Sequence, residues 1–128
     1  MKTAKEIYYD FEGKLVGTPL LKSSVCQTLI KMPDEIINLV TSACWFLGSI
    51  KDAWGYTFTG NDLRKDQHLI FLSDSLLSQD TEQIMFSIAH EIGHVILKHR
   101  NSTFVKQTKK EIRLQETQAD NFAKQFGF

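Results

Sequence analysis

His90-Glu91-Ile92-Gly93-His94 is the segment of this 128-residue chain whose residue types and spacing suit a catalytic metal. In a helix, residues four apart lie about 40° from one another on one face, so both imidazoles reach a single zinc ion. Glu91 is turned about 100° from His90, too far round to ligate comfortably, and is placed to hold the water in the metal's open position. His90 and His94 are therefore candidate metal ligands, and Glu91 is the candidate general base.

Such a site needs a third ligand. The metzincin pattern requires Gly at position 97 and His at position 100, but the residues are Leu97 and Arg100, which excludes it. His99, one turn past the pair and on the apolar side, reads as a histidine at a helix C-terminus. A better candidate lies on the next helix, expected at about 109–126. There Ile112, Gln115, Ala119, Phe122, Ala123 and Phe126 recur at spacings of three and four as a core-facing stripe. Glu116 projects into the middle of that stripe, and Asp120 sits at its edge. A carboxylate aimed into a core is costly unless it is paired or bound to metal. Glu116 is thus the candidate third ligand, and Asp120 the acceptor for a ligand histidine's other N–H. The competing reading is a frayed terminal helix with Glu116 solvated.

The His-Glu pair needs a buried helix beneath it. Asp80-Thr81-Glu82-Gln83 reads as a capped start, with Gln83 reaching back, of an active-site helix at about 81–99. On a helical projection Ile84, Met85, Phe86, Ile88, Ala89, Ile92, Val95, Ile96 and Leu97 cover more than half the circumference. Gln83, Ser87, His90, Glu91, His94 and Lys98 form the polar wedge between. A helix apolar on most sides belongs in the centre of a domain, so its wedge faces a cleft.

Upstream, Pro19 and Pro33 each suit a first helical position, opening helices at about 18–31 and 33–41. Cys44-Trp45-Phe46-Leu47, Trp54 to Phe58 and His68 to Leu72 read as strands, with a turn at Gly60-Asn61-Asp62 and a polar break at Ser73-Asp74-Ser75. Helices, a sheet of three or four strands and two further helices make an α+β domain spanning 1–128. Residues 1–67 hold the N-terminal helices and first strands. Residues 68–128 hold an edge strand, the active-site helix and the ligand helix.

Composition closes off other classes. Lys+Arg and Asp+Glu are 15 each, and no helix-turn-helix or basic-aromatic stripe argues for nucleic acid. The charge is uneven, with net −4 over residues 1–97 and net +4 over 98–128. No apolar run approaches a membrane span, and Met1 to Glu6 turns polar where a signal peptide would be apolar. Cys26 and Cys44 are too few for a disulfide scaffold and read as small buried hydrophobes in a reducing cytoplasm.

His90-Glu91-x-x-His94 followed by Glu116-x-x-x-Asp120 resembles the gluzincin metallopeptidases. Ile70-Phe71-Leu72-Ser73, Ala89 to Leu97, and Glu116-Thr117-Gln118-Ala119-Asp120-Asn121-Phe122-Ala123 are more closely similar to the ImmA/IrrE family. Gln118 stands where many members carry a second glutamate, outside the ligand position. The resemblance covers about residues 68–126. It implies a compact zincin-like fold, zinc-dependent endopeptidase activity, bacterial or phage hosts, and a helix-turn-helix repressor as protein substrate.

The implied reaction has zinc on His90, His94 and Glu116, with Glu91 moving the proton. His68, Tyr56, His99 and Arg100 are the candidate oxyanion donors, and the strand at 68–72 is the natural edge for an extended substrate. The basic run from Lys98 to Arg113, with Lys106, Lys109 and Lys110, borders the cleft and reads mainly as a solvated loop. The alternative is a zinc-containing regulatory module that binds a repressor-like partner without cutting it. Glu91 favours the enzyme, because a structural site closes its fourth position and needs no base.

Overall fold

A computed structural model describes residues 2–48, 67–99 and 108–128. The chain begins with α1 (Ala4–Asp10), opened by a capping box: Thr3 accepts from the Glu6 backbone N–H, and the Glu6 carboxylate reaches back. A two-residue β1 (Leu15–Val16) follows, then α2 (Pro19–Ile30), with Thr18 as cap and Pro19 at the expected first helical position. The third helix, α3, runs Asp34–Ala43. Here the expectation for Pro33 is corrected. Its backbone is extended (φ −63°, ψ 154°) and its carbonyl accepts the first helical bonds, so it caps the helix from outside it.

The remaining elements are β2 (Cys44–Gly48), β3 (His68–Leu72), α4 (Asp74–Leu77), α5 (Thr81–Ile96) and α6 (Lys109–Gln125). The Ser73-Asp74-Ser75 segment is a helix start and not a break, because Ser73 caps α4 by accepting from the Leu76 backbone N–H. The expected strand at Trp54–Phe58 and turn at Gly60–Asp62 lie outside the described residues.

Helix and sheet mix as expected for an α+β fold. The described strands form one parallel sheet in the order β1-β2-β3, with Leu15 opposite Phe46 and Cys44 opposite His68. β2, in the middle, is buried almost throughout, as a parallel strand covered on both faces must be. β3 alternates at its far end, where Ile70 and Leu72 point inward and Phe71 is 69% exposed.

One apolar cluster joins the layers. Ile7 of α1 and Phe11 at its C-cap, Leu21, Val25 and Leu29 of α2, Phe46 of β2 and Ile84, Ile88 and Ile92 of α5 are buried together. Phe11 and Phe46 meet edge to face, 5.9 Å between centroids. Cys26 and Cys44 are buried free thiols, pushed by that burial up to about 11 and about 12. α5 packs chiefly against α6 and α2 and so lies centrally. Five expected members of its apolar arc differ. Leu97 falls past the helix end and is 43% exposed, while Met85, Phe86, Val95 and Ile96 are half-buried. Among the described residues, no helix is long and apolar enough to cross a membrane.

Candidate metal centre

α5 is started by Asp80, whose side chain accepts from the Gln83 backbone N–H at 2.8 Å. The Gln83 side chain does not reach back as expected. It donates to Ser87 Oγ, one turn along the helix. Three turns on, His90 and His94 present their rings on one face, edge to face with centroids 4.6 Å apart.

α6 is started by Thr108, which accepts from the Glu111 backbone N–H, and it crosses α5 at Gly93. Its burial begins late. Ile112 and Leu114 are exposed, and Ala119, Phe122 and Ala123 are the residues that pack inward. Ile112 therefore does not belong to the core stripe, because the first turns of α6 carry no covering layer among the described residues. Glu116 is corrected in the same way. Its side chain is 54% exposed, so it stands at the mouth of the cleft and not in the core.

From that mouth Glu116 still reaches both histidines. Its Oε2 lies 2.9 Å from His90 Nε2 and its Oε1 lies 3.2 Å from His94 Nε2, while the two Nε2 atoms are 3.0 Å apart. Each of the three residues offers one ligand atom, all within 4.8 Å of one another. Donor atoms around a tetrahedral ion with bonds of about 2.0–2.1 Å lie roughly 3.3 Å apart, so this triangle is of the right size for a metal ion. Lone pairs that face one another so closely repel unless a cation or a shared proton lies among them. The group could hold a metal.

The outer ring nitrogens are also held. Asp120 Oδ1 accepts from His90 Nδ1 at 2.7 Å; a carboxylate only accepts, so this bond leaves the Nε2 lone pair for the centre. His94 Nδ1 meets His99 Nδ1 at 2.8 Å, and His99 Nε2 meets Gln118 Oε1 at 2.8 Å. Burial, and next the neighbouring His90, hold the His94 imidazole below its ordinary range, against the opposing pull of Glu116 and Glu91. The shift favours the neutral imidazole, the form a ligand requires. Glu91 is half-buried and, among the described residues, has no hydrogen-bond or ion-pair partner.

Sequence reasoning gave His99 and Gln118 other places, His99 at a helix C-terminus and Gln118 outside the site. His99 is not on a helix. α5 ends at Ile96, Lys98 takes a left-handed φ of 56°, and the His99 backbone N–H returns to the His94 carbonyl. That turn folds the His99 ring back onto His94. No glycine marks the turn, so the sequence carried no signal for it. Of the candidate oxyanion donors, His99 is excluded in this arrangement because both ring nitrogens are engaged. His68 is exposed at the start of β3, and Tyr56 and Arg100 lie outside the described residues.

The comparison that bears on function covers this same C-terminal part of the chain. Residues 77–128 match the profile of the Peptidase U49 family. The match starts at the last residue of α4 and takes in all of α5 and α6, hence His90, Glu91, His94, Glu116 and Asp120. It supports a peptidase. No curated protein and no solved structure matches the chain.

Proposed function

We propose that this protein is a zinc-dependent endopeptidase of the gluzincin kind, acting on a protein substrate. The observation that carries the reading is the convergence of His90 Nε2, His94 Nε2 and the Glu116 carboxylate within a peptidase-like segment. Two imidazoles, one carboxylate and an open fourth position form the donor set of catalytic zinc, whereas structural zinc is closed by four protein ligands.

When bound, zinc supplies a Lewis acid that polarises the scissile carbonyl and acidifies a water. The protein's residues do the rest. Glu91, one position from His90 and not hydrogen-bonded to any described neighbour, takes the water's proton at its carboxylate and delivers it to the leaving amine nitrogen. Asp120 holds the proton on His90 Nδ1 and fixes the ring's rotation. β3 is the last strand of the described sheet, on the side where an extended substrate would pair.

The resemblance to the ImmA/IrrE metallopeptidases supports a helix-turn-helix repressor as substrate, met in the cytoplasm. The test is metal content of protein purified without added zinc, measured beside cleavage of a repressor-type substrate. One zinc per chain with zinc-dependent cleavage is the expected result. Zinc binding without cleavage of any protein substrate would leave a regulatory module instead. Absence of metal at saturating zinc would refute the centre itself.

A further inference from the structure

The metal reading above gives His90 a carboxylate partner on its outer nitrogen. His94 has none, and what it meets instead is a third histidine. His94 Nδ1 and His99 Nδ1 are 2.8 Å apart, with the rings inclined at 65°, and His99 Nε2 lies 2.8 Å from Gln118 Oε1. Proton positions in this chain follow from chemistry. The amide oxygen of Gln118 only accepts, so His99 carries its proton on Nε2 and leaves Nδ1 as an acceptor. His94 must then donate from Nδ1, which frees its Nε2 lone pair toward His90 and Glu116. The reverse order would place a proton on His94 Nε2, where a ligand needs its lone pair.

The backbone serves the same contact. The left-handed region is unfavourable for a non-glycine residue, and here Lys98 at φ 56° is what turns His99 back over His94. Two bonds secure the turn, from Lys98 N–H to the Val95 carbonyl and from His99 N–H to the His94 carbonyl at 2.9 Å. The first element of the network is on α5 and the last, Gln118, is on α6, so the contact also ties the two ligand-bearing helices together.

We propose that His99 is a positioning residue for the metal centre: a neutral acceptor, oriented by Gln118, that sets the tautomer and rotation of His94. The centre is then asymmetric. His90 is backed by an anion that strengthens its donor nitrogen, and His94 is backed by an uncharged ring that orients it with less electronic effect.

The inference rests on the proposed metal centre, and two measurements separate their fates. Zinc affinity of the full chain is read by chelator competition for wild type, His99→Leu, His99→Gln and Gln118→Ala. His99→Leu should bind one zinc about 10–100-fold more weakly, the range for an outer partner of a ligand. His99→Gln keeps an acceptor and should recover most of the loss, and Gln118→Ala should fall between. In the metal-free protein, ring ¹⁵N shifts should place the His94 proton on Nδ1 in wild type and on both nitrogens in His99→Leu. Unchanged affinity in His99→Leu, or a His94 proton on Nε2 in wild type, overturns the proposal. Complete loss of zinc from His99→Leu at saturating metal also overturns it, because His99 would then be a ligand. If wild type binds no zinc while the ¹⁵N shifts come out as expected, the metal reading fails and the tautomer assignment stands.

Discussion

Gly93 of α5 faces Phe122 of α6 so closely that a Cβ at position 93 would lie 3.0, 3.1 and 3.2 Å from three atoms of the phenylalanine side chain. One of those atoms is Phe122 Cβ, which cannot swing away as a ring edge can. The missing side chain at Gly93 therefore sets how near α6 comes to α5, and with it whether Glu116 and Asp120 reach His90.

Gly93→Ala tests this. Alanine in a helix interior is favoured over glycine by about 1 kcal/mol, and overpacking against Phe122 costs about 1–3 kcal/mol. Denaturant unfolding of the metal-free variant should thus show a net change within about 2 kcal/mol. Zinc affinity should fall by at least about tenfold, because a shift of a few tenths of an ångström moves Glu116 off the two Nε2 atoms. Undiminished affinity would show that α6 does not need this approach.

Glu91→Gln should retain zinc and fold while cleavage falls by about 10²–10⁴-fold, the contribution of a positioned general base. The comparison uses matched zinc content on one substrate. Retained cleavage would remove Glu91 from that role.

Glu116→Gln and His94→Ala should each lower zinc occupancy sharply in native mass spectrometry. Wild type should hold one ion, and zinc should raise its thermal midpoint by mass action. Two ions in wild type, or an occupancy unmoved by Glu116→Gln, would transfer the third ligand elsewhere.

Asp120→Ala should bind zinc roughly 10–100-fold more weakly without losing it, since the His90 ring loses its acceptor and not its ligand atom. Equal affinity would make Asp120 a surface carboxylate.

Metal-free stability should fall as pH drops below about 6.5, the ordinary histidine value. His94 is held below that value in the fold, so between its folded and unfolded values the unfolded chain binds more protons, and stability rises with pH there. Urea unfolding at pH 7.5 and 5.5 should show a smaller loss for His94→Leu than for wild type. An equal loss would place the acid sensitivity in other groups.

Much of the site was legible in the one-dimensional pattern because a helix makes spacing into direction. The i, i+4 interval of His90 and His94, the same interval of Glu116 and Asp120, the cap at Asp80 and the helix start at Pro19 depend on local geometry, which a few neighbouring residues determine. By the same rule the starts of α1 and α4 are written locally, in Thr3-x-x-Glu6 and in Ser73. Projection could say which way Glu116 points around its own axis. It could not say what stands opposite, so the carboxylate expected in the core stands half-exposed at the cleft mouth, and Ile112 lies in the open. Only tertiary structure decided these points. The crossing at Gly93 and Phe122 sets which part of α6 is covered, and the turn at Lys98 brings His99 onto His94 from outside any helix. Both depend on contacts between elements, where the free energy of packing, not the period of one segment, chooses the neighbour.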